Sequence, residues 1–253
     1  MSKVVAIIQA RLGSSRFPAK TLMRIYDKPM LEHIIERVRA ARRLDGIVVA
    51  TTVSADDDPI VALAERLQVG IFRGSENNVL ERYHGAAVYC GADVIVRVTA
   101  DDPFKDPDII QQAIELQQGG SYDYCSNTLQ HSYPEGLDIE VFTFAALHTA
   151  FTEARLDSEK EHVTPFIWKR PERFSLHNFS CEPDLSHLRW TVDYEKDLIF
   201  TREVFRRLYP SKKIFLLRDV LELIEQEPAL CQINSGIRRN EGYLRSLEKE
   251  INQ

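Results

Sequence analysis

Short apolar runs alternate with amphipathic stretches through the first 120 residues. Four runs are predicted as buried strands: residues 4–8, 46–51, 69–72 and 93–99. Each is followed by a stretch with helical spacing. The helices are predicted to begin near Pro29, after Asp58 as a cap with Pro59 in the first turn, and near Val79. This alternation predicts a mainly parallel sheet with helices on both faces.

The pattern loosens after residue 120. Residues 122–127, 137–142 and 188–193 are predicted to add mixed strands and to help close a site, and residues 143–156, 195–209 and 218–227 are predicted helices. We expect a single domain over residues 1–253. Within it, about 1–120 form one half, about 121–210 form an elaborated second half, and 211–253 form a helical tail.

The composition is that of a globular protein. The 253 residues are 44% hydrophobic and 28% charged, and the net charge of −6 argues against a nucleic-acid partner. The four cysteines are scattered, with no zinc-type spacing, so we expect reduced thiols. No apolar stretch is long enough for a signal peptide or a membrane span, and we expect a cytoplasmic protein.

The loop after the first strand carries three cations, Arg11, Arg16 and Lys20. In an open parallel sheet, ligands bind beyond the carboxyl ends of the strands, where this loop begins. Arginine and lysine there suit the phosphates of a nucleotide, although three solvated surface cations are an equally simple interpretation. The loop contains neither GxGxxG nor GxxxxGK[ST], so it is not a dinucleotide or P-loop motif.

Carboxylates are expected at the same edge of the sheet. Thr99, Asp101 and Asp102 follow the fourth strand, and Asp193 follows the predicted strand 188–193. Asp101 and Asp193 together could hold Mg²⁺ against phosphate oxygens. Taken alone, Asp193 is more consistent with a helix N-cap than with a metal ligand, and Asp106 is the better N-cap candidate in the segment that follows Asp101.

Seven blocks, in order over about residues 4–200, resemble the cytidylyltransferase family. They include VVAIIQARLGSSRFPAKTL, FRGSENNVLERYHGAA, VIVRVTADDPF, YDYCSNTLQHSYPEGLDIEVF and LRWTVDYEKDL. The nearest branch is that of spore coat polysaccharide biosynthesis protein F. More distantly, the chain is similar to enzymes that activate 3-deoxy-manno-octulosonate and acylneuraminate. The resemblance implies a nucleotidyltransferase-type, Rossmann-like α/β fold, CTP as donor, Mg²⁺ as cofactor, a homodimer, and polysaccharide or glycan biosynthesis.

The resemblance also implies residue roles. Asp101 and Asp193 would bind the metal and, with Arg16 and Lys20, form the catalytic set. The nucleotide would be held by residues of three segments: Gln9, Ala10, Arg11, Gly13, Ser14, Arg16, Lys20, Asn78, Val79, Arg82 and Thr99. Arg82 could instead pair with Glu81 or face solvent. Asp102 stands where this branch more often has cysteine, and we expect it to face solvent.

The acceptor pocket is expected from polar residues among apolar neighbours in the second half: Asn127, Glu135, Asp138, Glu140, Glu161 and His162. His162 could instead lie at a helix N-terminus, bonded to the backbone. If the acceptor attacks through a hydroxyl, the metal or a carboxylate such as Glu140 would have to activate it.

Two other functions remain open from the residues alone. A non-catalytic nucleotide-binding module would keep the loop cations but need not keep both aspartates. An NAD-dependent oxidoreductase would share the α/β rhythm but lacks the glycine fingerprint. The identity of the acceptor is not visible in the sequence.

Overall fold

A computed structural model describes residues 2–14 and 16–251 and contains a seven-stranded mixed sheet. The strands are β1 Val4–Gln9, β2 Arg24–Ile25, β3 Lys28–Pro29, β4 Gly46–Thr52, β5 Gly70–Gly74, β6 Val94–Thr99, β7 Tyr124–Ser126, β8 Glu140–Thr143 and β9 Leu176–Asn178. The sheet has the order β5-β4-β1-β6-β8-β7-β9, and β2 and β3 form a separate hairpin. The first four strands of that order run parallel, whereas β8 is antiparallel to both neighbours.

The helices, like the strands, are numbered in chain order. They are α1 Met30–Ala40, α2 Asp58–Arg66, α3 Val79–Cys90, α4 Pro107–Gly120, α5 Phe144–Glu153, α6 Asp157–His162, α7 Pro165–Trp168, α8 Glu195–Leu208, α9 Leu217–Gln226 and α10 Glu241–Ile251. The predicted mainly parallel α/β sheet is therefore confirmed.

Both faces of the sheet are buried, as the unbroken apolar run of β1 predicts. Ala6 and Ile8 point into a core packed by α1, α2, α4 and α8, whereas Val5 and Ile7 point into a second core packed by α3 and α5. Alternate residues of one strand thus belong to different cores because side chains alternate across a sheet.

One predicted strand is absent from the structure, and two predicted helix starts differ from it. Residues 188–193 do not form a strand: they make only the single bridge between Glu135 and Arg189. Their backbone instead forms single hydrogen bonds to two other segments. Trp190 N donates to Glu135 O, and Val192 N donates to Asp101 O. Buried apolar side chains, Trp190 and Val192, produced the strand-like alternation without strand pairing.

The other two differences are small shifts at helix starts. Pro29 belongs to the β2–β3 hairpin and precedes α1 as its N-cap. Asp58 is the first residue of α2, and Asp57 takes the cap position before it. The Asp57 carboxylate accepts from Leu12 N, Thr52 N and two threonine hydroxyls, so it ties the loop after β1 to the end of β4.

Candidate active site

The carboxyl ends of β1 and β6 lie side by side and begin the site. Gln9 and Thr99 are register partners, so the loop after β1 and the segment 100–102 leave the sheet at one edge. The loop turns at Ala19, whose φ of 58° is left-handed, and Lys20 opens a short 3₁₀ turn that ends at Leu22. This turn directs Lys20 back under the sheet edge, where its side chain is 8% exposed.

Lys20 joins two aspartates that are 92 positions apart in the chain. Its Nζ lies 2.8 Å from Asp101 Oδ2 and 2.7 Å from Asp193 Oδ1, and it also donates to Val192 O at 2.9 Å. Arg16 Nη2 donates to the same Asp193 oxygen at 2.8 Å. The predicted catalytic set of Arg16, Lys20, Asp101 and Asp193 is therefore one contiguous ion-pair cluster.

The charges in this cluster hold each other ionised. Burial would lower the pKa of Lys20, but the carboxylates of Asp101 and Asp193 outweigh it and the pKa is raised. Burial would likewise raise the pKa of Asp101, yet the Lys20 ammonium and its hydrogen bond hold that pKa well below the usual range. Asp101 is thus a carboxylate at any pH near neutrality.

Asp193 is not the cap of α8, so its carboxylate is available to the site. Asp197 takes the capping role, because its Oδ2 accepts from Asp193 N at 2.9 Å and from Tyr194 N at 3.0 Å. Arg189, which the sequence did not single out, contacts Asp193 Oδ2 at 3.3 Å, Asp197 Oδ1 at 3.0 Å and Glu135. Arg189 therefore helps to fix the orientation of the Asp193 carboxylate.

The expectation that Asp102 faces solvent is wrong. Its residue is 6% exposed, and its Oδ2 lies 2.8 Å from both Lys105 Nζ and Thr99 Oγ1. Burial raises the pKa of Asp102, and the Lys105 ammonium opposes that rise. Asp102 therefore pairs inside the fold with a lysine three residues later, a spacing that was visible in the sequence.

Neither Arg11 nor Arg82 has a carboxylate partner within residues 2–14 and 16–251. Arg11 makes a long 3.4 Å bond to Glu76 O. Arg82 is 2% exposed and donates to Ser75 O, while its Nε is buried without a partner. Burial and the nearby charge of Arg11 lower the pKa of Arg82. The alternatives of a pair with Glu81 or of solvent exposure are therefore wrong for Arg82.

A cavity of about 380 Å³ connects these groups. Its wall contains nearly all the predicted residues: Gln9, Ala10, Arg11, Ser14, Arg16, Lys20, Val79, Arg82, Thr99, Asp101, Glu135, Asp138, Glu140, Glu161, His162 and Asp193. Gly13, Asn78 and Asn127 do not line it. Asn78 instead caps α3 by accepting from Glu81 N, and Asn127 is fully buried with bonds to Leu137 O and Ile139 N.

Glu140 is bound on every side. It pairs with Arg97, accepts from Tyr124 Oη at 2.7 Å and accepts from Thr164 Oγ1 at 2.5 Å. Burial would raise its pKa, but Arg97 and these hydrogen bonds lower it overall. Glu140 is therefore a poor proton acceptor and not the base suggested by its polar setting.

His162 lies at the last position of α6, not at a helix N-terminus, and it bonds a side chain. Its Nε2 is 3.0 Å from Ser246 Oγ, which donates to Glu161 Oε2 at 2.7 Å. Burial lowers the pKa of His162 to about 4, so the ring is neutral at pH 7. The pKa of Glu135 shifts in the opposite direction: burial raises it to about 7, although the Arg189 guanidinium acts to lower it.

Helix α10 supplies a wall that sequence reasoning missed. Glu241, Tyr243, Arg245, Ser246 and Lys249 line the cavity. Glu241 accepts from Tyr194 Oη and lies 3.9 Å from Arg16 Nη1, so α10 reaches the catalytic cluster. The tail was predicted to be helical, but no local motif indicates which face of a helix packs onto a site 50 residues away.

The site offers few protein ligands for a metal ion. Residues 2–14 and 16–251 contain no group of three or more His, Cys, Asp or Glu side chains placed to hold a metal. Asp101 and Asp193 form a two-carboxylate set on one nitrogen. Mg²⁺ takes one or two carboxylates and completes its shell with phosphate oxygens and water, so this donor set fits Mg²⁺ better than a metal that needs an all-protein cage.

Comparison with known proteins agrees with this geometry. The sequence model of the cytidylyltransferase family matches residues 5–240, and the chain belongs to that family. It is therefore a nucleotidyltransferase of the cytidylyltransferase type.

No helix in the part of the chain that the structure describes has the length and apolarity needed to cross a bilayer.

Three particular relatives extend over nearly the whole chain. An uncharacterized protein of Methanocaldococcus jannaschii is 36% identical over 94% of this chain and 96% of its own length. The spore coat polysaccharide biosynthesis protein SpsF of Bacillus subtilis is 30% identical over 82% of this chain and 88% of its own. The solved structure of a cytidylyltransferase from Leptospira borgpetersenii superposes with a TM-score of 0.88 at 32% identity, covering 94% of this chain and all of that one.

Proposed function

We propose that this protein transfers CMP from CTP to a small acceptor, releases pyrophosphate, and depends on Mg²⁺. The acceptor is a sugar acid or a related acidic or phosphorylated molecule. The membership of the family supports the reaction class. The sequence blocks shared with enzymes that activate sugar acids support the acceptor class, and the similarity to SpsF supports a place in polysaccharide biosynthesis.

The observation that carries the proposal is the convergence of Asp101 and Asp193 on the Lys20 ammonium, directly beside Arg16. Two carboxylates at this edge of the sheet would repel a triphosphate unless cations lay between them and the phosphates. Lys20 stands between the two carboxylates here. Asp101 and Asp193 would hold Mg²⁺, which would neutralise phosphate charge and lower the pKa of an acceptor hydroxyl.

The chain's own cations would then position the triphosphate. Arg11 and Arg82 are near each other and lack carboxylate partners, an arrangement that an anion relieves. They suit the donor nucleotide. Arg16 and Lys20 would stabilise the negative charge that develops on the departing pyrophosphate, because each can exchange an aspartate oxygen for a phosphate oxygen.

The acceptor oxygen would attack the α-phosphorus in line with the leaving pyrophosphate. The P–O bond to the β-phosphate breaks as the bond to the acceptor oxygen forms, and the protein contributes mainly position and charge. Its three partners, Arg97, Tyr124 and Thr164, make Glu140 a poor general base. The carboxylate, phosphate or phosphonate of an acidic acceptor needs no base, which agrees with a site whose carboxylates are nearly all engaged by cations.

A pyrophosphate-release assay tests the proposal. The purified protein is incubated with Mg²⁺, one of CTP, ATP, GTP or UTP, and a panel of sugar acids, polyol phosphates and phosphonates, and product masses are determined. We expect release only with CTP and a mass increase of one CMP on one acceptor. Equal release from all four nucleotides, or release without an adduct, would contradict it. The expected homodimer remains a separate prediction for light scattering.

A further inference from the structure

Two histidines from neighbouring helices meet on the surface, outside the cavity of the candidate active site. His84 belongs to α3 and His148 to α5, and Nε2 of His84 lies 3.0 Å from Nδ1 of His148. Neither side chain lines the cavity, although Arg82, two residues before His84, does. Successive helical residues differ by about 100° in direction, so His84 and Arg82 point to nearly opposite sides of α3.

Aromatic side chains hold the His84 ring in place. The Phe151 ring stacks on it with centroids 4.1 Å apart and planes 10° apart, and the Phe144 ring stacks with centroids 5.5 Å apart. Phe144 also lies 5.9 Å from the His148 ring. This packing restricts the rotation of the side chain, so the position of its nitrogen is largely set before any ligand binds.

The separation of the two nitrogens matches that of two imidazoles on one metal ion. Imidazole nitrogen binds Zn²⁺ at about 2.0–2.1 Å, and two such bonds at tetrahedral or square-planar angles place the nitrogens about 2.9–3.4 Å apart. A hydrogen bond between neutral rings gives the same separation. To admit an ion, the donating ring moves its proton to its other nitrogen. Both facing lone pairs are then free, and no net proton is lost.

The surroundings suit an ion that prefers imidazole. Burial, reinforced by the neighbouring His148, lowers the pKa of His84, so this ring is neutral at pH 7. His148 is exposed, so water can reach the pair. Across residues 2–14 and 16–251, no group of three metal-binding side chains forms, so water would complete the shell. Neutral imidazoles without carboxylates favour Zn²⁺, Ni²⁺ or Cu²⁺ over Mg²⁺.

We propose that His84 Nε2 and His148 Nδ1 together bind one divalent transition-metal ion, which links α3 to α5. The site is separate from the Mg²⁺ site proposed at Asp101 and Asp193, and it does not depend on the proposed transferase reaction. The two nitrogens come from positions 64 residues apart, so the chelate exists only in the folded chain. Binding of the ion therefore stabilises the fold.

Titration of the tag-free, full-length protein with Zn²⁺ in excess MgCl₂ tests the proposal. His84→Gln and His148→Gln should each raise the Kd of Zn²⁺ at least about tenfold, since even the hydrogen-bond partners of metal ligands contribute that much. Zn²⁺ should raise the midpoint of thermal unfolding of the wild type and not that of either variant. His187→Gln, at an exposed histidine outside both helices, is the control and should behave as the wild type. Pyrophosphate release without Zn²⁺ should stay unchanged in all three variants.

NMR of the wild type labelled with ¹⁵N-histidine identifies the atoms, and it needs no variant to fold. We expect Zn²⁺ to shift the resonances of Nε2 of His84 and Nδ1 of His148 to the metal-bound range, with protons retained on the other two ring nitrogens. Absence of Zn²⁺ binding, a Kd unchanged in both His84→Gln and His148→Gln, or ring shifts confined to other histidines would overturn the proposal. The pair would then be only a hydrogen bond between two helices.

Discussion

Lys20 Nζ lies 2.7 Å from Asp193 Oδ1, and the same nitrogen is 2.8 Å from Asp101 Oδ2. One ammonium thus bridges two carboxylates that lie 92 positions apart in the chain. All three side chains are largely buried, so removing a single partner leaves charge without compensation. The Lys20 contacts therefore link the stability of the site to its proposed chemistry.

We expect Asp193→Asn and Asp101→Asn each to lower turnover of CTP at least about a hundredfold, since each removes a charge that positions cations on the reacting phosphates. The amide keeps the shape of the carboxylate. Initial rates of pyrophosphate release at saturating CTP measure the effect. Asp56→Asn, at an exposed site on the loop before α2, is the matched control and should remain within about twofold. Near-normal turnover in both site variants would remove Asp101 and Asp193 from the catalytic set.

Lys20→Met separates metal affinity from catalysis, because it removes the one cation that Asp101 and Asp193 share. We expect its midpoint of thermal unfolding to rise more on addition of MgCl₂ than that of the wild type, since Mg²⁺ can replace the missing charge. Differential scanning fluorimetry with MgCl₂ and with ionic-strength-matched NaCl gives the comparison. Lys28→Met is the control, because Lys28 pairs with Glu36 away from the cavity. An equal Mg²⁺ response in Lys20→Met and wild type would argue against a metal at Asp101 and Asp193.

Arg82→Leu tests whether the buried, unpaired guanidinium serves the nucleotide. We expect the Kd of CTP to rise about tenfold or more, because a charge-assisted contact with phosphate is lost. We expect little loss of stability, since Arg82 has no carboxylate partner in the part of the chain described and its burial is costly. Isothermal titration and urea unfolding measure the two quantities. Arg173→Leu, whose exposed side chain pairs with Glu153, is the control for nucleotide binding.

The sequence predicted the parts of the site that follow strands. Lys20 lies on the loop after β1 and Asp101 comes directly after β6. Parallel strand ends meet at one edge, so the proximity of these two side chains was expected from the pattern. Asp193 was expected at this edge at the end of a strand that the structure does not contain, and its segment instead reaches the site through long-range bonds to Asp101 O and Glu135 O.

The contacts of Arg189 and Asn127 depend on packing between segments that are distant in the chain, and the sequence could not predict them. Arg189 shows no motif, yet it contacts Glu135, Asp193 and Asp197 at once. Asn127 looked like a pocket residue because it is polar among apolar neighbours, but its amide bonds the backbone of residues 137 and 139 instead. A buried polar side chain must find partners, and sequence alone does not say whether those are backbone groups or a ligand.

His162 gives a prediction for the pH dependence of stability. Its pKa is about 4 in the folded protein because of burial, against 6.5 when unperturbed, so the unfolded state binds the proton more tightly between these values. Stability is therefore lost as the pH falls from 6.5 towards 4. Relative to His162→Gln, which does not titrate, we expect wild-type unfolding free energy to be about 2 kcal/mol lower at pH 5 than at pH 7. Urea unfolding of both proteins at the two pH values measures this difference. His177→Gln, at another half-buried histidine, is the control and should keep the pH dependence of the wild type. The same change in wild type and in His162→Gln would show that the His162 ring is freely protonated in the folded state and that the contact with Ser246 does not exclude its charge.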